Sequence, residues 1–425
     1  MGLKVTVVGG GSTYTPELID GIGRRSERLP VDELCLLDID TERLGVVGGM
    51  ARRMVERQGW AGRLTLSTQA DEAIEGADFV LVQLRVGGQA ARLVDETLPL
   101  RFDTIGQETT GAGGFAKALR TVPVVLEIAQ RTARRGAKGA WLIDFTNPVG
   151  IVTQALLDDG HRAIGLCNVA IGLQRRIAGH LGVAPERVEL EHVGLNHLSW
   201  ERAVRVDGRD RLPELLATDL AFLADEVGFG GELLTTLGAI PSYYLRYYYA
   251  FDEVLREQRA GGHTRARDVI AIEDQLLEMY RDPQLAEKPA LLDERGGAFY
   301  SEAAAQLMAS LHDGAGDVQV VDTLNGGALP GLPDDAVLEI PARIDRDGAH
   351  PLPLAPLAPE LRGLVEHARG YEELAIAAAR SGDRSIALRA LLANPLVGQH
   401  PRAALLLDAL LDANRALLPR FFPTP

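Results

Sequence analysis

Cys167 and His197 are the residues whose type and position most invite chemistry. Cys167 is one of only two cysteines and stands in Gly165-Leu166-Cys167-Asn168; a parallel tetrapeptide, Gly194-Leu195-Asn196-His197, follows 29 residues later. A thiolate and an imidazole suit a first-row divalent ion. A closed structural site normally takes four protein ligands, so a pair leaves positions open for substrate and water, which is a catalytic arrangement. Each residue also has a plainer reading. A free cysteine is often a small buried apolar side chain, as Cys35 in Leu34-Cys35-Leu36-Leu37 is read here. A lone histidine is often a satisfied structural one.

A second site is written at the N-terminus. Gly9-Gly10-Gly11-Ser12-Thr13 follows an apolar strand-like run and precedes a helix-like segment with Pro16 near its start. Small residues let a backbone approach a pyrophosphate, and a helix N-terminus favours negative charge. Tyr14 replaces the last glycine of the usual fingerprint, so the match is partial. Asp38 ends the next apolar run, where an acid can hold the ribose hydroxyls of an adenosine. Together these residues point to a dinucleotide; the alternative is a glycine turn between strand and helix.

Other positions gain meaning beside these two. In Phe145-Thr146-Asn147-Pro148 the proline forces an extended exit and fixes where the Asn147 amide points; Asn-Pro is also a common turn. Arg85 and Arg92 flank Val86-Gly87-Gly88, and His263-Thr264-Arg265 follows a glycine pair. These arginines are candidate phosphate clamps, or solvated surface charges. Tyr244, Tyr247 and Tyr248 share a face if Pro241–Tyr249 is helical. Most such rings pack, but one could act as a base. A free tyrosine titrates at about 10, so a catalytic one needs a cation beside it.

The elements that must position these residues follow from hydrophobic patterning. Val5–Val8, Leu34–Asp38, Phe79–Leu84, Trp141–Phe145 and Ala163–Leu166 read as strands, with helix-like stretches such as Pro16–Arg28 and Ala116–Arg135 between them. This alternation predicts an α/β fold with a doubly wound, Rossmann-like parallel sheet. Ligands on such sheets bind at the carboxyl ends of strands. Gly9, Arg85, Asn147 and Cys167 all fall just after a strand, so one rim gathers them. Val188–Val193 and Trp200–Val206 read as a separate sheet, 212–284 as mainly helical, 318–325 and 336–341 as strands, and 361–417 as helices. The expected division is a nucleotide-binding domain over 1–190 and a mixed, largely helical α+β substrate- and metal-binding domain over 191–425, an architecture like that of lactate and malate dehydrogenases.

Composition narrows the partners. The 425 residues carry a formal net charge of −15, which argues against nucleic acid. An anionic substrate would need arginines of its own in the cleft. No apolar run is long enough for a membrane span, and no export signal is expected at the N-terminus. A reduced thiol and only two cysteines suit the cytoplasm.

Taken together, Gly9–Thr13, Arg85-Val-Gly, Gly106-Gln-Glu-Thr-Thr-Gly-Ala-Gly-Gly114, Asn147-Pro148, Cys167-Asn168, Asn196-His197, Tyr244-Leu-Arg-Tyr-Tyr and His263-Thr-Arg265 resemble, in order and spacing, glycoside hydrolase family 4. The resemblance covers nearly the whole chain. It implies NAD and a divalent ion as cofactors, most often manganese, with cobalt and nickel suited to the same donors. It implies a redox-neutral route: oxidation of the sugar at C3, loss of the C2 proton to a tyrosine, elimination of the C1 substituent, addition of water, and reduction. Carried over by position, Cys167 and His197 are the metal ligands and Tyr244 the base, with Tyr247 and Tyr248 in reserve. Gly9, Gly10, Gly11, Ser12, Thr13, Asp38 and Arg85 bind the cofactor; Arg92, Asn147, Asn168 and Arg265 bind substrate. In the 6-phospho-α-glucosidases of the family an aspartate follows the metal cysteine and can protonate the leaving group. Asn168 cannot, and it resembles the 6-phospho-β-glucosidase branch. The implied substrates are 6-phospho-β-glucosides such as phosphorylated cellobiose or aryl glycosides, and the implied assembly is a homodimer or homotetramer.

Three rivals remain at this level. The same family could act on an α-linked or unphosphorylated glycoside. A 2-hydroxyacid dehydrogenase of the lactate/malate type shares the glycine loop, the acid and Asn-Pro, but relies on a His–Asp pair without metal. A non-enzymatic nucleotide sensor would give no reason for Cys167 and His197.

Overall fold

The computed structural model describes residues 2–262, 264–297 and 299–423. Among the described residues nine strands form one sheet and four more form a second. In chain order the strands are β1 Leu3–Val8, β2 Val31–Leu37, β3 Arg63–Ser67, β4 Phe79–Val82, β5 Trp141–Asp144, β6 Ala163–Gly165, β7 Val188–Leu195, β8 Leu198–Val206, β9 Arg209–Asp210, β10 Ile240–Pro241, β11 Asp317–Leu324, β12 Val337–Asp345 and β13 Gly348–Pro351. The large sheet runs β13-β12-β11-β6-β5-β4-β1-β2-β3. From β3 to β6 it is parallel, and β11, β12 and β13 continue it antiparallel. The α/β reading therefore holds, and the alternation of strand and helix is its cause. Parallel strands need crossover helices, which cover both faces, so central strands are apolar throughout; β4 (Phe-Val-Leu-Val) is buried along its whole length.

Several elements depart from the sequence reading, with β9, β10 and β13 among the unexpected strands. Strand β3 was not expected; Arg63-Leu-Thr-Leu-Ser alternates on a half-exposed sheet edge and shows no continuous apolar run. The helix expected from Ala116 starts at Gly111. Its glycines belong to the first helical turn, because a Cβ on Gly113 would lie 2.1 Å from the Gln107 carbonyl oxygen and 2.5 Å from that of Asp95. Close backbone approach, not flexibility, selects glycine there.

The helices pack in layers. Phe115, Leu119, Val122 and Val125 of Gly111–Arg135 meet the C-terminal helices Pro359–Ser381, Arg384–Ala393 and His400–Ala413 on one face of the large sheet. Thr15–Gly23, Thr41–Arg57, Arg265–Arg281 and Tyr300–Asp313 cover the other. A third core, centred on Trp200, Val193 and Leu234, fills the space under β7 and β8 and includes Leu338 and Ile340 of β12. No described helix is long and apolar enough to cross a membrane.

The first layer contains a fully buried ion pair. Arg120 Nη1 donates to Asp95 Oδ1 at 3.0 Å and to Asn414 Oδ1 at 3.2 Å, and Nε donates to the Val86 carbonyl at 3.0 Å. Removing one partner of such a pair strands the other. Arg120→Met is expected to destabilise the fold by about 3–5 kcal/mol, read as a fall in the denaturant midpoint with an unchanged slope. A loss below ~1 kcal/mol would show that Asp95 finds another partner or a proton.

Candidate active site

The carboxyl ends of β1, β4, β5 and β6 open into a cavity of about 1250 Å³. Gly9, Gly11, Ser12, Asp38, Arg85, Arg92, Asn147, Asn168, Tyr244 and Arg265 all line it. One rim thus gathers positions spread over most of the chain, because adjacent parallel strands end side by side. Gly10 and Thr13 are buried and Cys167 and His197 lie almost wholly buried, none of them lining the cavity itself. His263 lies outside the described residues.

The glycine loop has the shape a dinucleotide requires. Gly9 has φ +86°, and a Cβ there would sit 2.9 Å from the Gln83 carbonyl oxygen. No other residue satisfies both demands. The Asp38 carboxylate closes the loop, accepting from the Gly11 N–H at 2.8 Å and from the Asp40 N–H at 3.0 Å. Each oxygen keeps lone-pair capacity toward the cavity it lines. Thr13 serves from behind: its Oγ1 accepts from Arg295 Nε at 2.7 Å. Asn147 Oδ1 is buried without a hydrogen-bond partner while its residue lines the cavity. Such an orphan acceptor is costly unless a ligand donates to it. These features fit a nucleotide cofactor with a hydroxyl-rich ligand beside it.

His197 is placed by a hairpin. Strands β7 and β8 pair antiparallel from Leu195–Leu198 outward, leaving Asn196-His197 as the turn, and His197 has φ +63°. A non-glycine residue in that region is uncommon and tends to mark turns and functional sites. Its Nδ1 lies 3.0 Å from Thr109 Oγ1, and its ring stacks on Tyr244 with centroids 3.7 Å apart and planes 10° from parallel. Burial pulls the His197 pKa down to about 4, so the ring is neutral, as a metal ligand must be. Burial pushes the Cys167 thiol well above its ordinary value, with Glu339 adding to the effect; a cation reverses that logic, since a coordinating thiol is deprotonated. Cys167 is close enough to Tyr244 and Tyr300 for its charge to raise both phenols. A soft thiol and a neutral imidazole around one cavity edge fit a divalent transition ion. Among the described residues no third His, Cys, Asp or Glu completes a protein-only metal cage with them.

Tyr244 is held differently from the expected single helix. Tyr243–Leu245 is a 3₁₀ turn, started by Ser242, and Arg246–Tyr249 is a separate short helix. The break sends Tyr244 and Tyr247 into the cavity, whereas Tyr248 packs beside the third core. Burial pushes the Tyr244 phenol well above its ordinary value.

Several lining residues had no assigned role in the sequence reading. Glu108 binds three cations: Arg85, Arg92 Nε at 3.2 Å and Lys117 Nζ at 2.7 Å. Burial alone would raise its pKa, but Arg85, Lys117 and Arg92 hold it well below the carboxylate range. Burial and Arg85 pull Lys117 down to about 7. Glu273 similarly joins Arg295 at 2.9 Å and Arg43 at 3.2 Å. The Gly106–Gly114 run contains Glu108, so a signal was present there; Tyr300 and Arg295 sit in segments with no motif. Arg265 is exposed at the mouth and donates to the Glu294 carbonyl at 2.6 Å.

Comparison with known proteins shows the family. The family 4 glycosyl hydrolase model matches residues 4–183, and the model of the family's C-terminal domain matches 192–397. The 6-phospho-beta-glucosidase of Escherichia coli (strain K12) is 36% identical over 438 residues, covering 99% of this chain and 97% of that protein. The structure of the 6-phospho-beta glucosidase from Thermotoga maritima with manganese, NAD+ and glucose-6-phosphate superposes with a TM-score of 0.91 at 35% identity, over 98% of this chain and 99% of that one. Malate dehydrogenase from Plasmodium falciparum, 13% identical, reaches a TM-score of 0.52 over 89% of this chain and 98% of its own, and shares the fold alone. With a family match across both halves of the chain and relatives of this identity along its full length, the protein belongs to family 4 of the glycosyl hydrolases.

Proposed function

We propose that this enzyme hydrolyses 6-phospho-β-glucosides, such as phosphorylated cellobiose and aryl glycosides, by the redox-neutral route of its family. The observation that carries the reading is the convergence of Tyr244, His197 and Cys167 at the edge of the cavity that also holds the glycine loop and Asp38. NAD would lie against Gly9, Gly11, Ser12, Asp38 and Arg85, and manganese or a similar ion at Cys167 and His197; when bound they supply, respectively, a hydride acceptor and a positive charge beside the sugar.

This chain's own residues do the rest. Tyr244, fixed by its stack on His197, takes the proton from C2 of the sugar. Asn147 offers its unpartnered Oδ1 to a sugar hydroxyl. Arg92, anchored by Glu96 at 2.7 Å and Glu108 at 3.2 Å, presents a fixed cationic fork to an anionic or hydroxyl-rich substrate. Arg265, exposed at the mouth and hydrogen-bonded to the Glu294 carbonyl, supplies a second cation for the 6-phosphate. Asn168 beside Cys167 has no acidic proton to transfer to a leaving group, unlike an aspartic acid, which supports the β-linked branch. With the domain boundary placed near residue 190, the nucleotide residues, Arg92, Asn147, Cys167 and Asn168 come from before it and His197, Tyr244 and Arg265 from after it, and β11–β13 extend the first half's sheet. A cytoplasmic homodimer or homotetramer accords with this reading.

The test is p-nitrophenyl β-glucoside 6-phosphate with NAD⁺, Mn²⁺ and a reductant. Cleavage that stops with chelator, without NADH accumulating, is the expected result. Cleavage only of the α-linked or unphosphorylated analogue would move the substrate within the family. Steady NADH formation without cleavage would overturn the hydrolytic route.

A further inference from the structure

A polar cluster lies between the two sheets, away from the cavity. His192 on β7 stands opposite Glu201 on β8. Its Nδ1 is 2.7 Å from Glu201 Oε1 and its Nε2 is 2.9 Å from Glu339 Oε2 on β12. The three side chains are 1%, 3% and 2% exposed. A histidine facing two carboxylates satisfies both only as the imidazolium, with one N–H for each. Burial opposes that charge, but Glu201 and Glu339 raise the His192 pKa to about 10. Buried ions are a weak stability device; what this cluster does supply is a carboxylate locked in one place.

That carboxylate points toward the hairpin turn. Glu339 Oε1 accepts from Asn196 Nδ2 at 3.3 Å, while Ser199 Oγ steadies Oε2 at 3.3 Å. Asn196 precedes His197 in the two-residue turn between β7 and β8, so a contact that fixes its amide also fixes the turn that carries the imidazole. The chain Glu201–His192–Glu339–Asn196 thus ends on the residue that precedes His197, one member of the Cys167–His197 pair.

We propose that Glu339, fixed by His192 and Glu201, is a positioning residue that acts through Asn196 to hold the turn that carries His197, and so sets how tightly the Cys167–His197 pair holds a divalent cation. The inference rests on the reading of that pair as the metal site. Residues that orient metal ligands from behind typically change affinity about 10–100-fold when replaced.

The experiment titrates the full chain, with NAD bound, with Mn²⁺ and follows free Mn²⁺ by electron paramagnetic resonance. Glu339→Gln is expected to weaken Mn²⁺ binding by about 10–100-fold, with NAD affinity and the melting temperature of the metal-free protein near wild type. Asn196→Ala should weaken it comparably, and the double variant should be no weaker than Asn196→Ala alone. Losses that add, or wild-type Mn²⁺ affinity in either single variant, would overturn the relay. If Glu339→Gln does not fold, Asn196→Ala decides alone: wild-type affinity refutes the proposal and the stated loss supports it. Wild-type protein and Cys167→Ser serve as reference. If the two bind Mn²⁺ equally, the metal reading itself fails and the proposal falls with it; if only the relay variants bind like wild type, the metal reading stands.

Discussion

Cys167→Ser is expected to lose Mn²⁺-dependent turnover by about 10³-fold or more, while NAD still binds. The size follows from what a cation contributes to developing negative charge, several kcal/mol, at about 1.4 kcal/mol per decade of rate. The substitution isolates that effect. Serine nearly matches cysteine in volume, and Cys167 is only 4% exposed at the end of β6, so packing changes little. A serine hydroxyl is a far poorer anion and a harder donor than a thiolate. The glycine loop and Asp38 lie at the ends of β1 and β2, so the cofactor end is undisturbed. Turnover with and without chelator, and NAD-dependent thermal stabilisation, make the check. Turnover like wild type would sink the metal assignment; loss of NAD binding would show that the change had damaged the fold.

Tyr244→Phe is the second large effect. Removing the base of a proton abstraction typically costs about 10²–10⁴-fold, and it should appear in kcat with little change in KM. Phenylalanine keeps the ring that stacks on His197 at 3.7 Å, so the imidazole stays in place. Tyr247→Phe is the control, because Tyr247 lines the same cavity. With substrate in deuterated water, the wild-type product should carry deuterium at C2. Unlabelled product from active wild type would remove the tyrosine base from the scheme. If Tyr247→Phe shows the larger loss, the role passes to Tyr247.

The sheet was legible because parallel strands buried on both faces leave continuous apolar runs, as in Phe79-Val-Leu-Val82. Its edge was not. Arg63–Ser67 is half-exposed, and an alternating five-residue strand resembles many loops. The antiparallel extension was legible as strands but not as members of this sheet. Asp322 pairs with Gly165 across a separation of 157 positions, and periodicity carries no signal of which sheet a strand joins. The tyrosine segment illustrates a third kind of gap. Helical spacing grouped Tyr244, Tyr247 and Tyr248, but a 3₁₀ turn changes the angle per residue, and so separates Tyr248 from the cavity.

By itself the sequence determined the family, the sheet and the types of group at the site: a glycine loop that only glycine can form, an acid after the second strand, one thiol and one imidazole with matching flanks. Local backbone chemistry and strand periodicity act over a few residues, and ordered motifs record them directly. Only the tertiary structure decided which buried charges meet. Glu108 among Arg85, Arg92 and Lys117, and His192 between Glu201 and Glu339, join side chains from elements far apart in the chain. Such pairings depend on register between strands and on packing between layers. Each residue taken singly reads as an ordinary surface charge; burial beside an opposite charge is what makes it part of the site.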